Sequence, residues 1–149
     1  KDEHNLSDDV LYKGLLNASA IGYLLMRNAD SCLTVDEGNK VIEQAVAYIR
    51  ENFASDITLS SIAGMFCVSP EHFSRMFKKI TGKNIFSYVN YIRINYACKL
   101  LVDTDMSILE ISMESGYSSI SNFNRYFLKI KDCTPTMYRK LKAEVNTTL

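Results

Sequence analysis

Arg75 and Arg125 stand fifty residues apart in matching settings, each bracketed by phenylalanines four residues apart, Phe73/Phe77 and Phe123/Phe127. At 100° per residue each arginine falls on the side of a helix opposite its phenylalanine pair, so one face is apolar and the other carries a cation. A guanidinium on such a face can bond guanine O6 and N7 through two parallel N–H donors, a fork that an ammonium cannot copy. The competing use of Arg75 is a salt bridge inside the molecule. Glu71, Ser74 and Lys78 share its outward face. Glu71 can accept from a cytosine amino group or stabilise a helix start through the dipole, and both uses stay open. Catalytic chemistry has little to work with: His4 and His72 lie far apart, and there is no Ser/His/Asp or Cys/His set and no Gly-rich phosphate loop. Cys32, Cys67, Cys98 and Cys133 are each more than thirty residues from the next and form no C-x-x-C pair. That spacing argues against zinc and for reduced thiols in a cytosolic protein, so no metal and no cofactor are expected.

The elements that must hold these arginines can be read from period and punctuation. Thr58–Ile80 reads as two short helices meeting at a corner, with Leu59, Ile62, Ala63 and Phe66 on the core face of the first and Phe73, Met76, Phe77 and Ile80 on that of the second. Ser69-Pro70 is a start signal, a capping hydroxyl before a proline whose missing N–H is not needed, and Gly82 is a stop. This is the layout of a helix–turn–helix, whose second helix enters a DNA major groove. Asp105–Ile130 repeats it. Ile111 answers Ile62 and Tyr117 answers Val68 at an offset of 49, while Phe123, Arg125, Phe127 and Lys129 answer Phe73, Arg75, Phe77 and Lys79 at an offset of 50. One residue is added at the corner, and Gly116 takes the turn position that Cys67 holds in the first copy. Ser107-x-x-Glu110 has the form of a capping box at the start of the second copy.

Around the two copies the sequence predicts a scaffold helix over Lys40–Phe53, a long connecting helix capped by Asn84 and running to Leu101, and a closing helix from Thr134-Pro135 to about Lys142. Ser7-Asp8-Asp9 starts an N-terminal helix to about Asn28. With Gly14 and Gly22 at a four-plus-four spacing it either covers part of a core, is the remnant of a larger upstream sensing or dimerising region, or mediates self-association. Residues 28–38 read as a linker, so the domains expected are 1–38, 39–142 and a frayed tail at 143–149.

The fold class expected is all-α, since no strand-like alternation runs far and a hydrophobic share of 47% over 149 residues suits a packed soluble protein. The net charge of zero conceals a division: residues 1–38 hold three Lys/Arg against seven Asp/Glu, a net −4, and residues 39–142 hold fourteen against nine, a net +5. Neutralising about five phosphates gives a salt slope near −4 to −5. The start of the chain at Lys1 rather than Met leads to the expectation of a fragment or processed product, and its acidic opening is unlike a signal peptide. The most apolar run, about a dozen residues from Leu15, falls short of the ~20 that a membrane span needs, so no membrane is expected.

The segments ITLSSIA, VSPEHFSRMFKKITG, RINYACKLL, MSILEIS with ESGYSS, and FNRYFLKIKDCTPTMYRK carry a specific resemblance. Over Ile57–Lys140 the chain resembles the DNA-binding domain of the AraC/XylS family of bacterial transcription regulators. The resemblance implies two helix–turn–helix subdomains joined by the central helix, with recognition helices at about 70–80 and 120–130 in successive major grooves, which recur every ~34 Å. It implies base contacts from Glu71, Ser74 and Arg75 in the first copy and from Ile120, Ser121, Asn122, Asn124 and Arg125 in the second. Asn122 can pair with adenine N6 and N7 or cap its own helix, and both remain open. Leu128 stands where the first copy has Lys78, so the second helix offers less charge. Backbone contacts are expected from Ser69, Lys78, Lys79, Lys83, Ser118, Ser119 and Lys129. The partners expected are double-stranded DNA at an operator or promoter, RNA polymerase, and a second copy joined through the N-terminal region, in the cytoplasm and without enzymatic activity. The alternative reading is an all-α protein-interaction module without DNA binding.

Overall fold

The starts of four helices in this molecule are written by side chains that satisfy otherwise orphaned backbone N–H groups. The computed structural model describes residues 35–147, which form seven helices and no strand. The N-terminal helix and its Gly14/Gly22 face, most of the 28–38 linker, His4 and Cys32 lie outside the described residues. The first helix, α1 (Val35–Asn52), begins inside the stretch read from sequence as linker, four residues before Asn39. Asp36 and Glu37 in its first turn suit the dipole there, and Gly38, the last residue of that stretch, is buried: a Cβ on it would lie 3.4 Å from Met76 Sδ. Tertiary packing carries the helix through a residue whose local preference is to end one.

The first pair is α2 (Leu59–Met65) and α3 (Pro70–Thr81). Thr58 and Ser61 form a reciprocal capping box on α2, Oγ1 of Thr58 accepting the Ser61 N–H at 3.1 Å and Oγ of Ser61 accepting the Thr58 N–H at 3.2 Å. The long helix α4 (Ile85–Asp103) is capped by Asn84, whose Oδ1 accepts the Ser87 N–H at 2.8 Å. The second pair, α5 (Ile108–Glu114) and α6 (Ile120–Lys131), opens on the capping box expected from Ser107-x-x-Glu110, with the Ser107 N–H donating to Glu110 Oε2 at 2.8 Å and the Glu110 N–H donating to Ser107 Oγ at 3.2 Å. These bonds hold the Glu110 carboxyl below its ordinary pKa. Ser107→Ala is expected to cost about 1 kcal/mol of stability, measured by urea denaturation; a loss under about 0.3 kcal/mol would mean the cap is idle. The last helix, α7 (Pro135–Thr147), runs past Lys142 into the residues expected to fray.

Two separate cores result. One gathers Ile42, Ala45 and Ile49 of α1, Ile62 and Ala63 of α2, Val68, Phe73 and Phe77, and Ile85 and Val89 from the first half of α4. The other gathers Ile94, Ala97, Cys98 and Leu101 from the second half of α4 with Ile111, Tyr117, Phe123 and Phe127. At 100° per residue the mean direction of Ile94, Ala97, Cys98 and Leu101 is turned by about 150° from that of Ile85 and Val89, so the two cores sit on nearly opposite sides of one helix. The repeat also extends further than the paired helices. Tyr88 meets Phe77 edge-on at 5.5 Å, and Tyr138, fifty residues on, meets Phe127 edge-on at 5.6 Å. The first half of α4 is therefore to the first pair what α7 is to the second. Ile80, assigned to the core face of α3 by its spacing, is 44% exposed, because it lies one turn past Phe77 where the core has ended. No helix among the described residues is long and apolar enough to cross a membrane.

Candidate nucleic-acid interface

The corner between α2 and α3 and that between α5 and α6 are the same turn. Val68 N–H donates to Ala63 O at 3.2 Å and Cys67 N–H to Gly64 O at 3.2 Å; forty-nine residues on, Tyr117 N–H donates to Ser112 O at 3.0 Å and Gly116 N–H to Met113 O at 2.8 Å. Both corners need left-handed backbone, with φ of +54° at Cys67 and +81° at Gly116. After the turn α3 starts at Ser69, whose Oγ accepts the His72 N–H at 3.3 Å, whereas α6 starts one residue later at Ser119, which makes no side-chain capping bond. Ser118 is the added residue.

Each turn presses a phenylalanine pair inward: Phe73, Phe77, Phe123 and Phe127 are all fully buried. The opposite faces are consequently turned to solvent. On α3, Glu71, Arg75, Lys78 and Lys79 are exposed and Ser74 is half-buried. The Arg75 side chain makes no hydrogen bond or ion pair among the described residues, so its internal salt-bridge use has no mate there. On α6, Ser121, Asn122, Asn124, Arg125 and Lys129 are exposed, as are Ile120 at 39% and Leu128 at 51%. Arg125 Nη2 donates to Asn122 Oδ1 at 3.1 Å, and its guanidinium lies 5.2 Å from the Tyr126 ring centroid. Asn122 thus turns its carbonyl to Arg125 and does not cap its helix. Ser118 is exposed and Ser119 half-buried. Ser69, counted from sequence among backbone-contact residues, is only 6% exposed, with its hydroxyl accepting the His72 N–H at the start of α3.

A family model described as a helix-turn-helix domain matches residues 62–141, from the core of α2 into α7. The chain belongs to the AraC/XylS family. This family is one of transcription regulators. Among relatives of the AraC/XylS chain is the MmsAB operon regulatory protein of Pseudomonas aeruginosa, 31% identical over 104 residues, which make up 70% of this chain and 34% of the relative. The chain thus spans about a third of the length of that curated relative. Solved structures agree on the fold. The C-terminal domain of AraT, a response regulator from Geobacillus stearothermophilus, superposes with a TM-score of 0.66 at 33% identity, covering 68% of this chain and 84% of that one. A transcriptional regulator with an AraC-type DNA-binding domain from Chromobacterium violaceum gives 0.65 at 28% identity, covering 70% and 94%.

One cluster of this AraC/XylS domain was not legible in sequence. Lys83, in the loop after α3, and Lys129 on α6 line a single groove of about 210 Å³ with Ser87, Asn90 and Tyr91 of α4 and Tyr126 of α6. Lys83 Nζ sits 4.0 Å above the Tyr91 ring, which fixes an otherwise loose ammonium. Two lysines 46 positions apart are thereby brought to one concave strip; their separate readings as backbone contacts gave no hint that they share it. Three of the cysteines, Cys67, Cys98 and Cys133, are free, and burial pushes the Cys98 thiol up. No group of His, Cys, Asp and Glu among the described residues is arranged to hold a metal.

Proposed function

We propose that this chain is the sequence-specific double-stranded DNA-binding module of a bacterial transcription regulator, reading two successive major grooves with α3 and α6. The observation that carries it is the pair Arg75 and Arg125, exposed at equivalent positions on two helices whose other faces are fully buried phenylalanines. Neither arginine packs into a core, and an exposed guanidinium on such a face has the chemistry of a guanine reader. Glu71, Ser74, Ile120, Ser121, Asn122 and Asn124 complete the base-facing set; Lys78, Lys79, Lys83, Lys129, Ser118 and the α6 start at Ser119 meet phosphates. The groove between Lys83 and Lys129 receives the sugar–phosphate strand that lies between the two recognition helices. The module acts in the cytoplasm by docking rather than by catalysis. RNA polymerase and a second copy, joined through the residues before α1, are its protein partners.

Binding to duplexes selected from a random pool, titrated at two salt concentrations, tests this reading. A sequence preference with a salt slope near −4 to −5 is expected. Absence of any salt-sensitive binding leaves the interaction-module alternative. Lys79→Ala should weaken selected and random duplexes alike and make the salt slope shallower by about 1. A loss confined to the selected duplex would remove Lys79 from the backbone-contact set.

A further inference from the structure

The two halves of the molecule share α4, and a single helix with cores on opposite sides leaves their relative tilt dependent on one rod. A second attachment exists. The loop between α1 and α2 is gripped from α4 by Arg93, whose Nε donates to Phe53 O at 2.7 Å and whose Nη2 donates to Ser55 O at 2.8 Å. Phe53 also packs its ring 4.9 Å from that of Tyr96, one turn along α4. From the other side this loop abuts the turn of the second pair: a Cβ on Gly116 would lie 2.6 Å from Ala54 O and 2.7 Å from Ala54 Cα. The Arg93 guanidinium lies 5.5 Å from the ring of Tyr117, the next residue. Tyr117 in turn donates its hydroxyl to Asn90 Oδ1 at 2.8 Å and meets Phe123, the anchor of α6, edge-on at 5.4 Å. An unbroken path of contacts therefore runs from the end of α1 through Arg93 and Gly116 to the recognition helix of the other half.

We infer that Arg93 and Gly116 are positioning residues that lock the Phe53–Asp56 loop against the second turn, fix the tilt between the two helix pairs, and so set the spacing of the two half-sites that the protein accepts. The part concerning half-sites rests on the DNA-binding reading above; the lock itself does not. The sensitivity follows from geometry. With recognition helices ~34 Å apart, a tilt of about 10° about a midpoint swings each helix by about 3 Å across the line joining them, which changes the helical phase at which the two meet the duplex, and one inserted base pair changes that phase by about 35°. Gly116 serves two ends at once, a left-handed φ and a close approach, and only the first would be met by asparagine.

The test separates the lock from the DNA. In the 149-residue chain, backbone residual dipolar couplings from α1–α3 and from α5–α7 are expected to fit one alignment frame. Arg93→Met, which keeps the buried stem and removes the donors, should leave each half folded but require two frames; Arg93→Lys should recover part of the shared frame. Gly116→Ala should act like Arg93→Met, and if it fails to fold, Arg93→Met decides. A single shared frame in Arg93→Met overturns the lock. On a duplex selected by the native chain from random sequence, one base pair inserted or deleted midway between the half-sites should weaken native binding about tenfold and Arg93→Met binding less than about threefold. An equal penalty for both overturns the spacing inference. If selection yields no duplex, the DNA reading fails while the dipolar couplings still judge the lock.

Discussion

Phe123→Ala is expected to destabilise the second half of the molecule by about 3–5 kcal/mol, the range for emptying a fully packed aromatic site. The ring is fully buried, with Tyr117 edge-on at 5.4 Å and Phe127 tilted at 5.6 Å, so truncation removes both its transfer energy and two ring–ring contacts. Tyr117 is tied to Asn90 by its hydroxyl at 2.8 Å and Phe127 is itself fully buried, so neither is free to slide in and fill the hole. Against a total stability of about 5–15 kcal/mol for an ordinary domain this is a large share. Because the cores are distinct, the loss should be local at first: amide exchange should accelerate across α5 and α6 before it does around Phe73 and Phe77. Phe86→Ala is the matched control, since Phe86 is 57% exposed on α4 and its loss should stay within about 0.5 kcal/mol. Urea midpoints and hydrogen exchange on both variants decide the matter. Equal effects would mean that burial of Phe123 does not carry the second core.

The contrast between those two phenylalanines shows what the amino-acid pattern could and could not convey. Phe123 repeats Phe73 within a helix that has one apolar face, and there period alone assigns the core. Phe86 sits in α4, which is apolar on two sides because its halves serve different cores, and a pattern with two buried faces has no single period to detect. The caps were legible at Ser69, Asn84 and Ser107 because each is a local side chain acting on its own turn. The Thr58–Ser61 box is equally local, but serine in place of glutamate hides it from the usual signature. Arg93 was visible only as a charge in mid-helix. Its partners are carbonyls 38 and 40 residues away, and nothing in a one-dimensional pattern points to a backbone oxygen. Arg139 repeats the device in the second half, bonding Leu101 O at 3.2 Å and Met106 O at 2.6 Å, the segment that leads into α5. In both halves an arginine from a later helix thus bonds carbonyls just ahead of a helix pair, two in the loop in the first half, and one in the last turn of α4 and one in the loop in the second. The two arginines stand 46 residues apart rather than at the 49- or 50-residue offset of the repeat, so the likeness is one of tertiary arrangement alone.

Arg75→Ala should cost about 1–3 kcal/mol in binding to a selected duplex, roughly 5- to 150-fold, and should relax base preference at one position only. The size follows from what Arg75 lacks and what DNA supplies. Its guanidinium is exposed and without a partner among the described residues, so contact with guanine creates two hydrogen bonds and breaks no internal one. Arg125 starts differently, already held by Asn122 at 3.1 Å and lying over Tyr126. Less side-chain entropy remains for it to lose on binding, but its bond to Asn122 must be shared or exchanged to reach a base. Arg75→Lys separates geometry from charge: it keeps one cation on the same face, so the salt slope should hold while discrimination at that position falls, because an ammonium has no planar fork. Selection from a randomised pool with the native chain, Arg75→Ala and Arg75→Lys reads both quantities. If Arg75→Lys retained full discrimination, the contact would be electrostatic and Arg75 would belong with Lys78 and Lys79 on the phosphates. If neither variant changed the selected sequence, α3 would not be reading bases through this residue, and the identity of the operator would have to be written by Arg125 and the rest of the α6 face.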